Sequence, residues 1–197
     1  ARGQLQNKSD RYYFLDTISL NRGEVYISPF DLNIENGAIE SPLKPMLRFA
    51  TPTFGADGEK TGIVCINYLG AQLIQNFQRT AGDPANAPFL LNSDGYWLSS
   101  RDPAQEWGFM YPDRKALTFA TTHPAAWEII SREFTGQFAN EAGLFTFATI
   151  TPFASGLSSS SGSYDPAQPS QRFFGSEKYQ WKIVSRIEPE TLGHLTQ

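Results

Sequence analysis

Met46-Leu-Arg-Phe-Ala-Thr-Pro-Thr-Phe54, then Gly55-Ala-Asp-Gly58, then Thr61-Gly-Ile-Val-Cys-Ile-Asn67 is the stretch whose reading decides the fold. β-branched and aromatic residues favour extended backbone, and a Gly/Asp cluster between two such runs is turn chemistry. The spacing predicts a hairpin. Pro52 has no N–H to give a ladder, so its strand should have a free edge or a bulge there. The return strand is apolar on both faces, which predicts a central position, with Cys65 as buried filler. Leu69, Leu73, Ile74 and Phe77 follow at helical spacing and predict a short amphipathic helix over 68–79.

Downstream the same order recurs. Gly82-Asp-Pro-Ala-Asn-Ala-Pro88 is rich in breakers and marks a boundary, dividing the chain into modules 1–82 and 83–197. Phe89-Leu-Leu-Asn-Ser-Asp-Gly-Tyr-Trp-Leu98 reads as a hairpin. Trp127, Ile130 and Phe134 form a helical stripe that starts at Pro124, a residue suited to a first turn. Gly143–Phe153 and Tyr179–Ile187 read as strands, and Glu188-Pro-Glu-Thr-Leu192 as a helix start. Phe49-Ala-Thr-Pro-Thr-Phe54 is weakly similar to Phe147-Ala-Thr-Ile-Thr-Pro-Phe153, and Ile63-Val-Cys-Ile66 to Ile183-Val-Ser-Arg-Ile187. The difference in spacing is taken up by Ala154–Gly175, whose Ser158-Ser-Ser-Ser161 and Pro166/Pro169 predict a mobile inserted loop outside the core.

Composition narrows the function. With 40% hydrophobic and 18% charged residues in 197, the chain has material for a packed core and is not disordered. No apolar run approaches the roughly 20 residues that span a bilayer, and Ala1 to Ser9 is too polar for a signal peptide. The formal net charge of −4, without a Lys/Arg cluster, argues against a nucleic-acid partner. The single cysteine permits no internal disulfide and assigns no compartment.

The chemistry of catalysis is missing from the pattern. His123 and His194 stand far apart without neighbouring Cys or paired acids, so no metal ligand set is assigned. The serine run lacks the context of a nucleophile elbow, and neither a phosphate loop nor a dinucleotide fingerprint occurs. Asp16 and Asp31, or Glu128 and Glu133, read as solvated acids. No catalytic residue and no cofactor is expected.

An ordered set of motifs carries a resemblance. Ser9-Asp-Arg-Tyr-Tyr-Phe14, Gly23-Glu-Val-Tyr-Ile-Ser-Pro-Phe-Asp-Leu-Asn33, Lys44-Pro-Met-Leu-Arg-Phe-Ala-Thr-Pro52 and Gly62-Ile-Val-Cys-Ile-Asn-Tyr-Leu-Gly70 resemble the extracytoplasmic double Cache, or tandem PDC-like, sensor domains of bacterial histidine kinases, diguanylate cyclases and chemoreceptors. Trp107-Gly108-Phe109-Met110 and Gly143-Leu-Phe-Thr-Phe-Ala148 resemble the membrane-proximal module more weakly. The resemblance implies an α+β fold of two tandem PAS-like modules, each an antiparallel sheet flanked by helices. It also implies that the first module lacks its N-terminal helix and first hairpin.

The same resemblance implies a small-molecule ligand in the distal module, a parent protein anchored in the inner membrane, a periplasmic location and a homodimer. Its ligand set maps onto Arg11, Tyr13, Tyr26, Phe30, Arg48 and Asn67. Arg11 would hold a carboxylate through its fork and Tyr13 would wall the pocket. Asn67 stands where amino-acid-sensing members carry Asp, so an organic anion is favoured over a ligand anchored by its ammonium. A free-standing extracytoplasmic binding protein and a small hydrolase remain the alternative readings.

Overall fold

The computed structural model describes residues 6–80, 87–163 and 168–195. Two compact units emerge, one formed by Ala1–Gly70 with Phe153–Tyr179, the other by Ala71–Pro152 with Gln180–Gln197. The expected boundary at 82/83 lies outside the described residues. The helix after residue 70 belongs with the second unit, and residues 153–179 return to the first.

The first unit opens with α1 (Tyr12–Ile18), followed by β1 (Tyr26–Ile27), β2 (Asp31–Leu32), β3 (Ile34–Glu35) and β4 (Ala38–Ile39). The β3/β4 hairpin turns through Asn36 and Gly37, both at positive φ (50° and 80°), as the two-residue turn of a tight hairpin requires. β5 (Pro45–Phe54) and β6 (Lys60–Leu69) form the long hairpin expected from the sequence, with a register shift at Thr53/Phe54 beside Pro52. Tyr12, Tyr26, Ile27, Phe30, Leu32, Met46 and Leu47 are buried. Gly70 is required by close approach, since a Cβ there would lie 2.2 Å from the Phe30 ring.

β6 is not central. It pairs with β5 alone among the described strands, and Val64, Ile66 and Tyr68 are exposed on it. The other edge of β5 is taken by β1 and β2, which leaves β6 at the rim of the sheet. Cys65 is exposed for the same reason.

The serine-rich segment is not a mobile insertion. β11 (Ser158–Ser160) and β12 (Phe173–Gly175) extend the first sheet to the order β12-β11-β1-β5-β2, with β11 parallel to β1. Ser159 and Ser160 are each 1% exposed. Small side chains fit against the aromatic core, and every buried hydroxyl has a partner: Ser159 donates to the Ile27 carbonyl at 2.8 Å, Ser160 to Asp16 at 2.7 Å. Residues 164–167 of that segment, Pro166 among them, lie outside the described residues.

The second unit holds α2 (Ala71–Thr80), β7 (Phe89–Asn92), β8 (Trp97–Ser99), α3 (Phe119–Thr122), α4 (Pro124–Arg132), β9 (Thr135–Asn140), β10 (Gly143–Ile150), β13 (Trp181–Ile187) and α5 (Pro189–Leu195). Its sheet is antiparallel throughout, in the order β8-β7-β13-β10-β9. α4 buries Ala126 and Ile130 against Phe89, Leu91, Phe145, Phe147 and Val184. Phe134 lies past the end of α4 and is 60% exposed, so the expected stripe closes at Ile130. An α+β fold with antiparallel sheets and few helices results. Among the described residues no helix is long and apolar enough to cross a membrane.

Candidate functional site

In the first unit a cavity of about 510 Å³ opens against β6. Side chains alternate across a strand, so Ile63, Cys65 and Asn67 share the face of β6 that lines it. α1 contributes Tyr13 and Phe14, and β5 contributes Arg48, which is paired directly with Asn67 across the hairpin. The register of the long hairpin therefore sets the distance between the cation and the amide.

Arg48 is held from behind. Its guanidinium donates to Asp31 Oδ1 at 2.6 Å and to Asn33 Oδ1 at 3.0 Å, and the side chains of Arg48 and Asp31 are 3% and 2% exposed. The Tyr12 hydroxyl donates to the other oxygen of Asp31. Burial pushes the Asp31 carboxyl up while Arg48 and Tyr12 hold it back; burial would lower Arg48, but Asp31 together with Tyr12 and Tyr13 outweighs it and raises Arg48 above its ordinary range. Asp31 is thus a buried partner rather than a solvated acid.

Tyr13 lies within reach of two cations. Arg48 is 4.8 Å and Arg11 5.9 Å from its ring centroid. Burial raises the Tyr13 phenol against the opposing pull of Arg48 and Arg11, so at neutral pH it keeps its proton and can donate. Arg11, 8% exposed, lines a neighbouring cavity of about 310 Å³ that shares Lys8 with the first. Lys8 meets Glu35 at 3.1 Å, and hydrogen bonds from Lys8 and Asn33 keep the Glu35 carboxyl below its usual range. Across the two cavities Lys8, Arg11 and Arg48 are matched in number by Asp10, Asp31 and Glu35.

Three of the six expected residues, Tyr13, Arg48 and Asn67, line one cavity. Arg11 lines its neighbour. Tyr26 and Phe30 line neither. Tyr26 is 1% exposed, with its hydroxyl 3.1 Å from Asp16 Oδ2 and 2.7 Å from Ser160 Oγ, and Phe30 is packed over Gly70. Asp16, read as solvated, is 2% exposed and has no cation within ion-pair distance among the described residues. Lys8, Asn33, Glu35 and Cys65 escaped the sequence reading. The Asn36-Gly37 pair was the signal for Glu35, because it fixes the hairpin on which that residue lies.

The model of one protein family, described as bacterial histidine kinase, sensor domain, matches residues 1–158. No curated protein matches the chain. Among solved structures, the extracellular domain of vpHK1S-Z8, described as a histidine kinase, superposes with a TM-score of 0.72 at 19% identity, covering 98% of this chain and 60% of that one. A domain of a sensory box/GGDEF family protein from Vibrio parahaemolyticus gives 0.72 at 19% identity, covering 96% and 62%. The ligand-binding domain of the Pseudomonas aeruginosa PAO1 amino-acid chemoreceptor PctC, solved with GABA, gives 0.54 at 14% identity, covering 95% and 65%. The chain thus spans about three fifths of the length of the first two structures.

Proposed function

The chain belongs to the family of bacterial histidine kinase sensor domains, and from that premise we propose that it receives a small carboxylate in the first unit's cavity on behalf of a membrane-anchored receptor. The receptor lies in the inner membrane, presents this chain outside the cytoplasm, works as a homodimer and leaves catalysis to an output domain. One observation carries the ligand reading: Tyr13, Arg48 and Asn67 line a single cavity with a cation fixed in place by Asp31. A fixed guanidinium loses little entropy on binding, and a neutral phenol and an amide add donors without adding charge. We assign the distal role to this unit, with Arg11 reinforcing the field from the neighbouring cavity.

A second reading, an amino acid, is favoured by one residue. Glu35 brings a carboxylate to the cavity that an ammonium could meet. The PctC domain is solved with such a zwitterion.

A thermal-shift panel of organic acids and amino acids on the wild type and Asn67→Asp tests both. Monocarboxylates should raise the wild-type Tm, and Asn67→Asp should move the preference to amino acids by setting a charge beside Arg48. Amino acids preferred by the wild type and lost in Glu35→Gln would select the second reading. No shift with any member of the panel would remove both.

A further inference from the structure

β6 ends the first sheet with an edge that is neither used nor protected. Gly70 donates to the Pro45 carbonyl at 2.8 Å, and the Arg48 carbonyl, on the residue opposite Asn67, accepts from Ser28 on the far side of β5. Backbone groups alternate along an antiparallel ladder, so Val64, Ile66 and Tyr68 turn theirs to β5 while Ile63, Cys65 and Asn67 turn theirs to the free edge. Among the described residues no strand pairs there. Edges are commonly blunted by a charge, a proline or a bulge. Thr61-Gly-Ile-Val-Cys-Ile-Asn-Tyr-Leu69 carries no charge and no proline, and the register shift of the hairpin falls beyond it, at Thr53/Phe54.

The face of β6 turned away from the ligand cavity is open as well. Val64, Ile66 and Tyr68 are 53%, 65% and 45% exposed. On β5 the same face carries Leu47, which is 3% exposed, and Phe49, whose ring centroid lies 5.9 Å from that of Phe153. The apolar layer runs outward from a packed core and stops uncovered at the rim.

Edge and face make different demands. A second copy of the chain, or an extended peptide, could pair with β6 and satisfy its N–H and C=O groups. Either would leave Val64, Ile66 and Tyr68 in water, because an added strand lies beside them and not over them. One longer segment meets both demands if it adds a strand and lays an apolar element across the face. The comparison structures have polypeptide to spare for this: the two domains that superpose over 98% and 96% of this chain are matched over only 60% and 62% of their own length. Lys8 lines the same cavity as Ile63, Cys65 and Asn67, so polypeptide upstream of it needs no long connection to reach the free edge.

We infer that the polypeptide upstream of this chain in its parent supplies that segment. One of its strands pairs with Ile63, Cys65 and Asn67 on β6, and an apolar element joined to it covers Val64, Ile66 and Tyr68. The first unit's sheet is then complete only in the parent. Nothing in this depends on the ligand read for the first unit's cavity.

Three proteins test it: this chain, the parent's whole extracytoplasmic polypeptide, and that polypeptide without what lies upstream of Ala1. Amide exchange reads the edge. The Ile63, Cys65 and Asn67 amides should exchange about a hundredfold or more slowly in the longest protein than in this chain, and the third protein should match this chain. Maleimide labelling reads the face. With Cys65→Ser and Ile66→Cys combined, the one thiol should react about tenfold or more slowly in the longest protein than in the other two. The proposal fails if the parent gene encodes no polypeptide upstream, or if the three edge amides exchange alike in all three proteins. It also fails if the third protein is protected like the longest, which would assign the edge to a downstream segment. An occupant supplied in trans, a second copy or a free peptide, would leave the edge amides of the longest protein as fast at low concentration as those of this chain, and that too overturns it. Should the double variant not fold, amide exchange on the unsubstituted proteins decides alone.

Discussion

Ser160 donates its hydroxyl to the carboxylate of Asp16 at 2.7 Å, joining two residues 144 positions apart. Ser170 donates to the same oxygen at 2.7 Å. Late hydroxyls thus satisfy an acid on the first helix, and the contact fixes β11 to the unit that begins the chain.

Ser160→Ala should therefore destabilise the protein by about 1–3 kcal/mol, the usual cost of leaving a buried acceptor short of a donor. Deleting Ser158 to Ser161 removes the β11 strand and should cost more than the single substitution. Urea unfolding midpoints measure both. A loss within the scatter of ordinary surface changes, about 0.5 kcal/mol, would return the segment to the status of a loop.

Asp16 should also leave a mark on the pH dependence of stability. Burial raises its carboxyl above the ordinary value, against the opposing hydrogen bonds from Ser160, Ser170 and Tyr26. Between the unfolded and folded pKa values the native state holds the proton that the unfolded state has lost. Stability therefore falls as pH rises through that window, and the cost is complete above the folded pKa. Asp16→Asn lacks this component. The difference in stability between wild type and Asp16→Asn should move in favour of the variant as pH rises from about 4, and unfolding curves at a series of pH values check the sign.

Gly70→Ala places a methyl 2.2 Å from Phe30 Cε2, a ring that is 2% exposed and cannot swing into water. A cost of about 1–3 kcal/mol follows from overpacking. It should shrink in a Phe30→Leu background, since the clash and its relief are one interaction. Equal costs in both backgrounds would mean the backbone, not the ring, sets the requirement for glycine.

Cys65 is the one thiol, exposed, and part of the first cavity's lining. Maleimide labelling should modify it without denaturant, and any ligand that raises the Tm through that cavity should slow the labelling. Protection that survives Asn67→Asp while the thermal shift is lost would separate the thiol from the ligand site.

The long hairpin was legible because both of its strands and its turn carry local signals: the β-branched runs of β5 and β6 and the Gly55–Gly58 cluster. α4 was legible by its period, and β10 and β13 by composition. The position of β6 in the sheet was not, since an apolar strand at a sheet rim reads like one at the centre and only its neighbours tell them apart. β11 failed for another reason. Serine signals turns because its hydroxyl competes for backbone, yet Ser159 and Ser160 find partners in Ile27 and Asp16 that lie more than a hundred residues away. In the site, Arg48 and Asn67 were legible through the family resemblance and the hairpin register sets them side by side, whereas the burial of Tyr26 and Asp16 depends on that same remote strand.

The chain leaves the first unit after Gly70, returns at Phe153 and leaves again after Tyr179. During synthesis the first unit must wait with an unfinished sheet until Gly175 has been made, and the second with β10 exposed along one edge until β13 arrives. The usual order for tandem domains, in which the N-terminal one folds while its neighbour is still being made, is closed to this chain. Closing such distant pairings late is intrinsically slow, so the nascent first unit carries an open edge on β1 until β11 is made, and β10 then carries one until β13 follows. Cutting the chain at any single point between the units should therefore lower the yield of folded protein, because of that interleaving rather than the stability of either sheet.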